Sequence, residues 1–458
     1  MATIDGSIIN IALKTLQDSF GVEFHTVEWV TLSYLLTITS LLPSMGRLGD
    51  MIGKRRVALL GFAIFTIGSA LCGLAWNIEL LIVARVIQGV GAAMLQAVSP
   101  ALLVTAFPPN ERGQALGYTG SIVAAGILTG PVLGGLLLRY TSWPSIFFVN
   151  LPIGIAAFLL ALRVLPHDGK RSEQRFDIPG ALLLAGAVLL ILFALTEGQS
   201  WGFGDLRTIG LLIGGVIGLI GFVLWERRAV APMIDLRLFE NRTFSLSLVA
   251  ALGSFLAMSF NFLLLPYYLQ EVLQYDPQHT GLILIAAPLV LAVASPLSGR
   301  LSDQIGARGL SAIGLVILSG SLFSMATLSS TSTDLEIVLR LMAMGLGAGL
   351  FQSPNNSTTM GSAPRWALGI AGSLLAVMRT LGQTAGIALA GAIWAALITA
   401  SSGQVFTPIT TAPPEVLVSG MRGAMLVAGV LAALAIIPAL ARPRGSIEPG
   451  PVAPPVVR

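Results

Sequence analysis

Two charged residues stand where charge is most costly. Asp5 lies in the apolar stretch 1–13 and Arg85 in the apolar stretch 80–105. A charge inside a membrane span costs about 2.5–3.5 kcal/mol on insertion scales, so it is first a functional hypothesis. A carboxylate in apolar surroundings is driven toward its protonated form, and a nearby guanidinium drives it back. If the separation of such a pair changes, the acid takes up and releases a proton. The same two residues equally suit a static ion pair that holds two helices together. Arg340, in the stretch 336–358, has no evident acidic partner and reads as structural. Arg379, in 368–399, reads as a cation near a helix end that reaches out to the interface.

A second constellation is the run Gly46–Arg56, "GRLGDMIGKRR", which gathers charge and glycine onto a short stretch of a chain only 10 % charged. A phosphate-binding loop is one candidate. It needs Gly-x4-Gly-Lys-Ser/Thr, but Leu48 stands at the first glycine and Arg55 at the metal-binding hydroxyl. The alternative is a turn between two membrane helices, with Gly46, Gly49 and Gly53 allowing the chain to bend. Asp50 accepts hydrogen bonds there, and Lys54, Arg55 and Arg56 lie beside anionic lipid. His25, His167 and His279 all fall in expected loops, and no metal site or nucleophile constellation is evident, so an enzyme is the reading with least support. Cys72 is the sole cysteine and permits no intrachain disulfide.

The elements that must position these groups are membrane helices. The chain is 55 % hydrophobic, with mean hydropathy +0.84, far above a soluble globular chain. Spans are expected at 1–13, 27–46, 57–76, 80–105, 114–138, 143–164, 178–196, 208–225, 243–269, 280–299, 309–330, 336–358, 368–399 and 419–441. That makes an all-α membrane protein of fourteen helices. Most of the 26 basic residues fall in loops on the side of Gly46–Arg56 or in the C-terminal tail; Lys14, Arg139, Arg207 and Arg422 lie opposite. By the positive-inside rule both termini are cytoplasmic. The basic balance, pI near 9.5, is spread over short loops and does not call for nucleic acid.

Three segments recur at nearly constant spacing. "GRLGDMIGKR" at 46–55 returns as "GRLSDQIGAR" at 299–308, so Asp303 matches Asp50. "RVIQGVGAA" at 85–93 returns as "RLMAMGLGAG" at 340–349, and "GILTGPVLGG" at 126–135 as "GQTAGIALAG" at 382–391. An offset of eight helices keeps both copies in one orientation. Parallel repeats of this kind relate by an axis along the membrane normal, with a site between them. The expected units are 1–165, a six-helix bundle; 166–242, two inserted helices with flanking loops; 243–442, a second six-helix bundle; and 443–458, a disordered, proline-rich tail.

These motifs resemble those of the major facilitator superfamily, and within it the fourteen-helix drug:proton antiporters. Gly46–Arg56 is similar to the superfamily's loop between spans two and three, Arg85-x-x-Gln88-Gly89 to its fourth-span motif, and Gly126–Gly135 to the antiporter signature of span five. Asp5–Leu13 is similar to the branch's first-span pattern, and "WPSIFFVNLPIG" at 143–154 to its sixth-span pattern. Lys14, Pro144 and Ser145 depart from those patterns. The resemblance implies that Gly46, Gly49, Asp50, Gly53 and Arg55, with Asp303, latch the halves in one state. It links Gly126, Gly130, Pro131, Gly134 and Gly135 to exchange. The glycines four apart also make a tight helix-packing face, and Pro131 can bend the helix.

Aromatic and amide residues on spans expected to face a central cavity are Asn10, Trp29, Tyr34, Gln88, Gln96, Asn261, Phe262, Tyr267, Gln352, Asn355 and Asn356. Such a mix suits a broad apolar pocket with a few polar groups. One feature is discordant. Residues 1–13 give about 20 Å of helix, short of the roughly 30 Å bilayer core, and put Asp5 close to the cytoplasmic surface. The reading frame is therefore expected to continue upstream of Met1. The function expected is a proton-coupled exporter of small amphipathic compounds, in a bacterial cytoplasmic membrane, working by alternating access. It needs no cofactor beyond the proton gradient and no metal, contacts lipid, and acts as a monomer. A proton-coupled nutrient importer and an inactive or sensor paralogue with a truncated first helix are the alternatives.

Overall fold

The computed structural model describes residues 2–22, 24–167, 176–404, 406 and 412–443. The expected tail beyond 443 lies outside them. Fourteen long helices run through the described residues. We number them α1 (Ala2–Phe20), α2 (Phe24–Ile52), α3 (Lys54–Gly73), α4 (Ile78–Ala106), α5 (Arg112–Tyr140), α6 (Asn150–Val164), α7 (Ile178–Trp201), α8 (Leu206–Glu226), α9 (Arg242–Tyr267), α10 (Ala286–Ile305), α11 (Ala307–Met325), α12 (Asp334–Ser362), α13 (Leu368–Ser402) and α14 (Pro414–Leu434). The short helices Ser145–Phe148 and Pro277–Leu284 lead into α6 and α10.

Among the described residues, eleven helices are long and apolar enough to cross a membrane. The other three long helices, α1, α2 and α12, carry polar residues that the fold turns inward: Asp5 on α1, Ser33, Thr39, Ser40 and Ser44 on α2, and Asn355, Thr358 and Thr359 on α12 are all buried. Large apolar side chains of the inserted helices, such as Ile217, Ile220 and Leu224, point outward instead. This inversion is the expected arrangement where the surroundings are hydrocarbon.

Helices α1–α6 pack among themselves, α3 with α4 and α6, α2 with α4, and α1 with α5. Helices α9–α14 do likewise, α9 with α13, α10 with α12, and α11 with α12 and α14. The two sets meet through α2 and α4 against α13, and through α5 against α10 and α12. The inserted pair α7–α8 packs on itself, and α7 rests on α2 and α13.

Two expectations are corrected. The first helix does not stop at residue 13; it has 19 residues and continues to Phe20. Lys14 and Asp18, which look like loop charges in sequence, pair at 2.8 Å as an i,i+4 bridge on its exposed face. At about 1.5 Å per residue the helix approaches the bilayer core in length. The run Gly46–Arg56 is not a loop either. Gly46 to Ile52 extends α2, Lys54 begins α3, and the turn is the single residue Gly53, with φ 107°. Gly306 does the same in the second copy, with φ 93°. A side chain is strained at such a φ, which is why each break falls on a glycine. His25 and His279 likewise fall in the first turns of helices, and only His167 lies in a loop.

Candidate functional site

Asp5 and Arg85 meet at the centre of the first set of helices. Arg85 Nη1 donates to Asp5 Oδ2 at 2.6 Å, and both side chains are sealed, 0 % and 2 % exposed. The other carboxylate oxygen accepts from Gln88 Nε2 at 2.9 Å and from Asn150 Nδ2 at 2.7 Å. Arg85 Nε donates to Val30 O at 2.9 Å, and the guanidinium lies 4.0 Å from the centre of the Tyr34 ring. Gln88 also donates to Ser69 Oγ at 2.7 Å. One acid therefore draws on α1, α2, α3, α4 and α6. A buried pair is tolerable only when its remaining hydrogen-bonding capacity is largely met; Gln88 and Asn150 satisfy the carboxylate, while Arg85 Nη2 is left enclosed without a partner. Asp5 sits level with Ser69 and Arg85, inside the neighbouring helices, and not at a surface.

The repeated acids form a second, two-fold arrangement. Asp50 on α2 accepts from the backbone amides of Gly369 and Ile370, at 2.9 and 3.1 Å, at the start of α13. Asp303 on α10 accepts from those of Gly113 and Gln114, at 2.9 and 3.0 Å, at the start of α5. Each acid caps a helix of the opposite set, meeting unpaired amides and the positive end of the helix dipole. Glycine makes this approach possible: a methyl added at Gly46 would run into Gly369 O, and one at Gly299 into Gly113 O. Gly49 makes room for Val98, Lys54 pairs with Asp50 at 3.0 Å, and Arg55 donates to Leu162 O at 2.7 Å. Arg47, 4 % exposed, lies among Asp50, Asp177, Glu226 and Asp235, which ties the inserted helices to the same corner.

The glycine face of α5 packs on α1. Gly126 O accepts from Ser7 Oγ at 3.0 Å, and a side chain at Gly130 would overlap Ser7. Gly134 leaves ordinary contact with Ile8, whereas a methyl at Gly135 would meet nothing within 4 Å. In the second copy Gly382 and Gly386 pack on Leu252 and Leu256 of α9. Pro131 lies within α5, and its side chain is outside the described residues, as is that of Asn10 on α1. Gly130→Leu is expected to push α1 off α5, at about 1–3 kcal/mol for overpacking, and to carry Asp5 away from Arg85. Transport per inserted molecule should fall severalfold, with Gly135→Leu near wild type. Equal losses in the two variants would contradict this.

The remaining cavity candidates are dispersed. Tyr34 and Gln88 belong to the buried cluster around Asp5. Trp29 is half-buried and packs on Phe193 of α7, ring centres 5.5 Å apart. Gln96 accepts from Arg379 Nη2 at 3.0 Å, across the two sets, so Arg379 turns inward and does not reach for the interface. Asn261 is buried and Phe262 exposed. Tyr267 packs on Trp394 at 5.6 Å, and Gln352 lies 3.9 Å from Met258 Sδ. Asn355 accepts from Arg442, whose guanidinium burial lowers to about 10. Sequence reasoning missed Ser69, Asn150 and the partner of Arg379. An amide inside the apolar run "FFVNLP" was the available signal for Asn150.

The family model of the Major Facilitator Superfamily matches residues 1–386 and 246–455. Among curated relatives, the riboflavin transporter RibZ of Clostridioides difficile is 38 % identical over 406 residues, 87 % of this chain and 86 % of that one. The multidrug resistance protein Stp of Mycobacterium tuberculosis is 36 % identical over 402 residues, 88 % of this chain and 75 % of that one. The tetracenomycin C resistance and export protein of Streptomyces glaucescens is 32 % identical over 411 residues, 89 % and 75 % of the two chains. In fold, the chain is similar to the crystal structure of the human organic anion transporter MFSD10, with a TM-score of 0.63 at 16 % identity, covering 95 % and 97 % of the two chains. With its repeated acids, glycine seams and inward polar helices, the chain belongs to the Major Facilitator Superfamily and is a multi-pass membrane transporter, not an enzyme.

Proposed function

We propose that this transporter is a proton-coupled exporter of small amphipathic compounds, acting as a monomer in a bacterial cytoplasmic membrane. It has fourteen spans, both termini cytoplasmic, two six-helix units and an inserted pair. The observation that carries the reading is the sealed Asp5–Arg85 pair, held while both acid caps join the two helix sets. All four capped amides lie at the end that bears the basic motif, which is the cytoplasmic end on this reading. Protonation of Asp5 removes the negative member of the pair and weakens the hold of Arg85. Helix α4 carries that change along its length, from Arg85 and Gln88 to Gln96, which contacts α13. Releasing Asp50 and Asp303 from their helix starts then opens the cytoplasmic side, and substrate and proton exchange places across the cycle. Relatives named for multidrug resistance and for export support the outward direction.

A second reading, carriage of a vitamin-sized heterocycle, is favoured by the relative named as a riboflavin transporter. One experiment separates direction from substrate. An efflux-deficient host expressing the chain is screened for reduced drug susceptibility, and everted vesicles from it are tested for substrate-induced discharge of the pH gradient. Reduced susceptibility with gradient discharge is the expected result. Gradient-driven accumulation in right-side-out vesicles would overturn the export reading.

A further inference from the structure

Arg379 is an interior cation that meets no acid among the described residues. It lies well inside α13, half-buried. Its one hydrogen bond among the described residues runs from Nη2 to Gln96 Oε1 at 3.0 Å. Arg85 has Asp5, and Arg442 donates to Asn355 and has its Nε and Nη1 enclosed. Arg340 also lacks an ion pair among the described residues, but it donates to Thr327 Oγ1 at 3.1 Å and its Nη1 is enclosed, so it offers less free surface than Arg379. The remaining nitrogens of Arg379, and the amide nitrogen of Gln96, are not among the enclosed polar atoms, so they keep accessible surface.

Its position gives that surface a use. Gly372, two turns earlier on α13, has Ala97 O and Pro100 of α4 against it, part of the contact that closes the basic end of the molecule. Beyond Arg379, Gly382 and Gly386 pack α13 against α9. Arg379 and Gln96 therefore sit just inside the closed contact, one on each helix set. Leu95, Met378 and Leu381 flank them as partly buried apolar side chains. An uncompensated guanidinium at that depth is expensive, and a bound group that brings its own negative charge relieves the cost. The free N–H groups of Arg379 and the Gln96 amide form a donor set that suits a planar, delocalised oxyanion.

From this we infer that Arg379 and Gln96 are the polar anchor of the substrate site, and that the site takes amphipathic organic anions carrying a carboxylate, phenolate or enolate oxygen. The inference rests on the transporter's substrate binding between the two helix sets. It does not need export or proton coupling, so its test does not either.

The test uses two xanthene dyes of similar shape and opposite charge. Purified full-length protein in uncharged detergent is titrated with fluorescein and with the cation tetramethylrhodamine ethyl ester, and binding is followed by fluorescence anisotropy. Wild type is expected to bind fluorescein more tightly. Arg379→Gln should weaken fluorescein binding about tenfold or more, the scale of a lost charged hydrogen bond, and leave the rhodamine ester unchanged or tighter. Arg379→Lys should recover part of the loss, and Gln96→Leu should show a smaller, anion-selective loss. A wild-type preference for the cation, or equal changes for both dyes, would overturn the assignment. If Arg379→Gln does not purify as a monodisperse protein, unchanged fluorescein affinity in both Arg379→Lys and Gln96→Leu overturns it. Anion-selective binding without gradient discharge in everted vesicles would sink the exporter reading and leave this one standing.

Discussion

Asp5→Asn is expected to abolish gradient-driven transport while leaving the protein folded and able to bind substrate. Asparagine keeps the shape and one acceptor oxygen. Arg85 also retains Val30 O, the Gln88 carbonyl and the Tyr34 ring as partners. What disappears is the only carboxylate in the cluster. Arg85→Ala is expected to be at least as damaging, by another route. It removes a fully buried side chain that joins α4 to α1 and α2, and it leaves the Asp5 carboxylate with two amides and no cation. Breaking a buried pair from one side costs about 3–5 kcal/mol. It also removes the cation whose contact with Asp5 links the proton site to α4. Lowered thermal stability and loss of coupling should therefore appear together in Arg85→Ala, and loss of coupling with a smaller stability change in Asp5→Asn. The double variant should be more stable than the sum of the single losses implies, because contacting groups couple. Normal export by Asp5→Asn, with protons still released on substrate addition, would refute the assignment.

The second large effect is conformational. Gly299→Ala and Gly369→Ala are each expected to open the basic end of the molecule. A methyl at Gly299 would collide with the carbonyl of Gly113 and lie 2.7 Å from Ser353 Oγ; one at Gly369 would collide with Gly46 O and lie 2.9 Å from the Asp50 carboxylate. The obstructing atoms are largely backbone, so relief comes from moving a helix and not from turning a side chain. Overpacking by a methyl costs about 1–3 kcal/mol, which lowers the closed-to-open ratio roughly 5- to 150-fold. The closed state bears most of the cost, because the backbone crowding lies between the two helix sets; Ser353 Oγ, on the same set as Gly299, is the tip of a side chain that can rotate away. Distances between spin labels placed on α2 and α13 at the basic end should lengthen in both variants, and transport should slow. Gly210→Ala and Gly221→Ala, where an added methyl meets nothing within 4 Å, serve as controls. Unchanged distances in the Gly299 and Gly369 variants would show that the glycines are not what holds the closed contact.

Much of this was legible in residue order alone. Apolar runs near bilayer length place helices without tertiary information, because in hydrocarbon a helix is what satisfies all backbone groups within a single segment. The repeated "GRL" segments announced that Asp50 and Asp303 hold equivalent places, and Asp5 and Arg85 stood out through the cost of their charge. Local chemistry misled at two points. Three glycines in Gly46–Arg56 read as a flexible turn, yet only Gly53 turns; Gly46 and Gly49 serve close approach, which depends on a neighbour distant in sequence. Lys14 read as a charge beyond the end of the first helix, yet α1 continues to Phe20 with Lys14 on its exposed face, paired with Asp18. The partners were decided by packing alone. Asn150 and Ser69 join Asp5 through helices α6 and α3, the acid caps join α2 to α13 and α10 to α5, and Arg379 finds Gln96 across the two sets. Helix formation is settled within a few turns of chain, so it can be read locally. A buried charge must be met by whatever the folded helices bring beside it, and no local stretch of residues contains that.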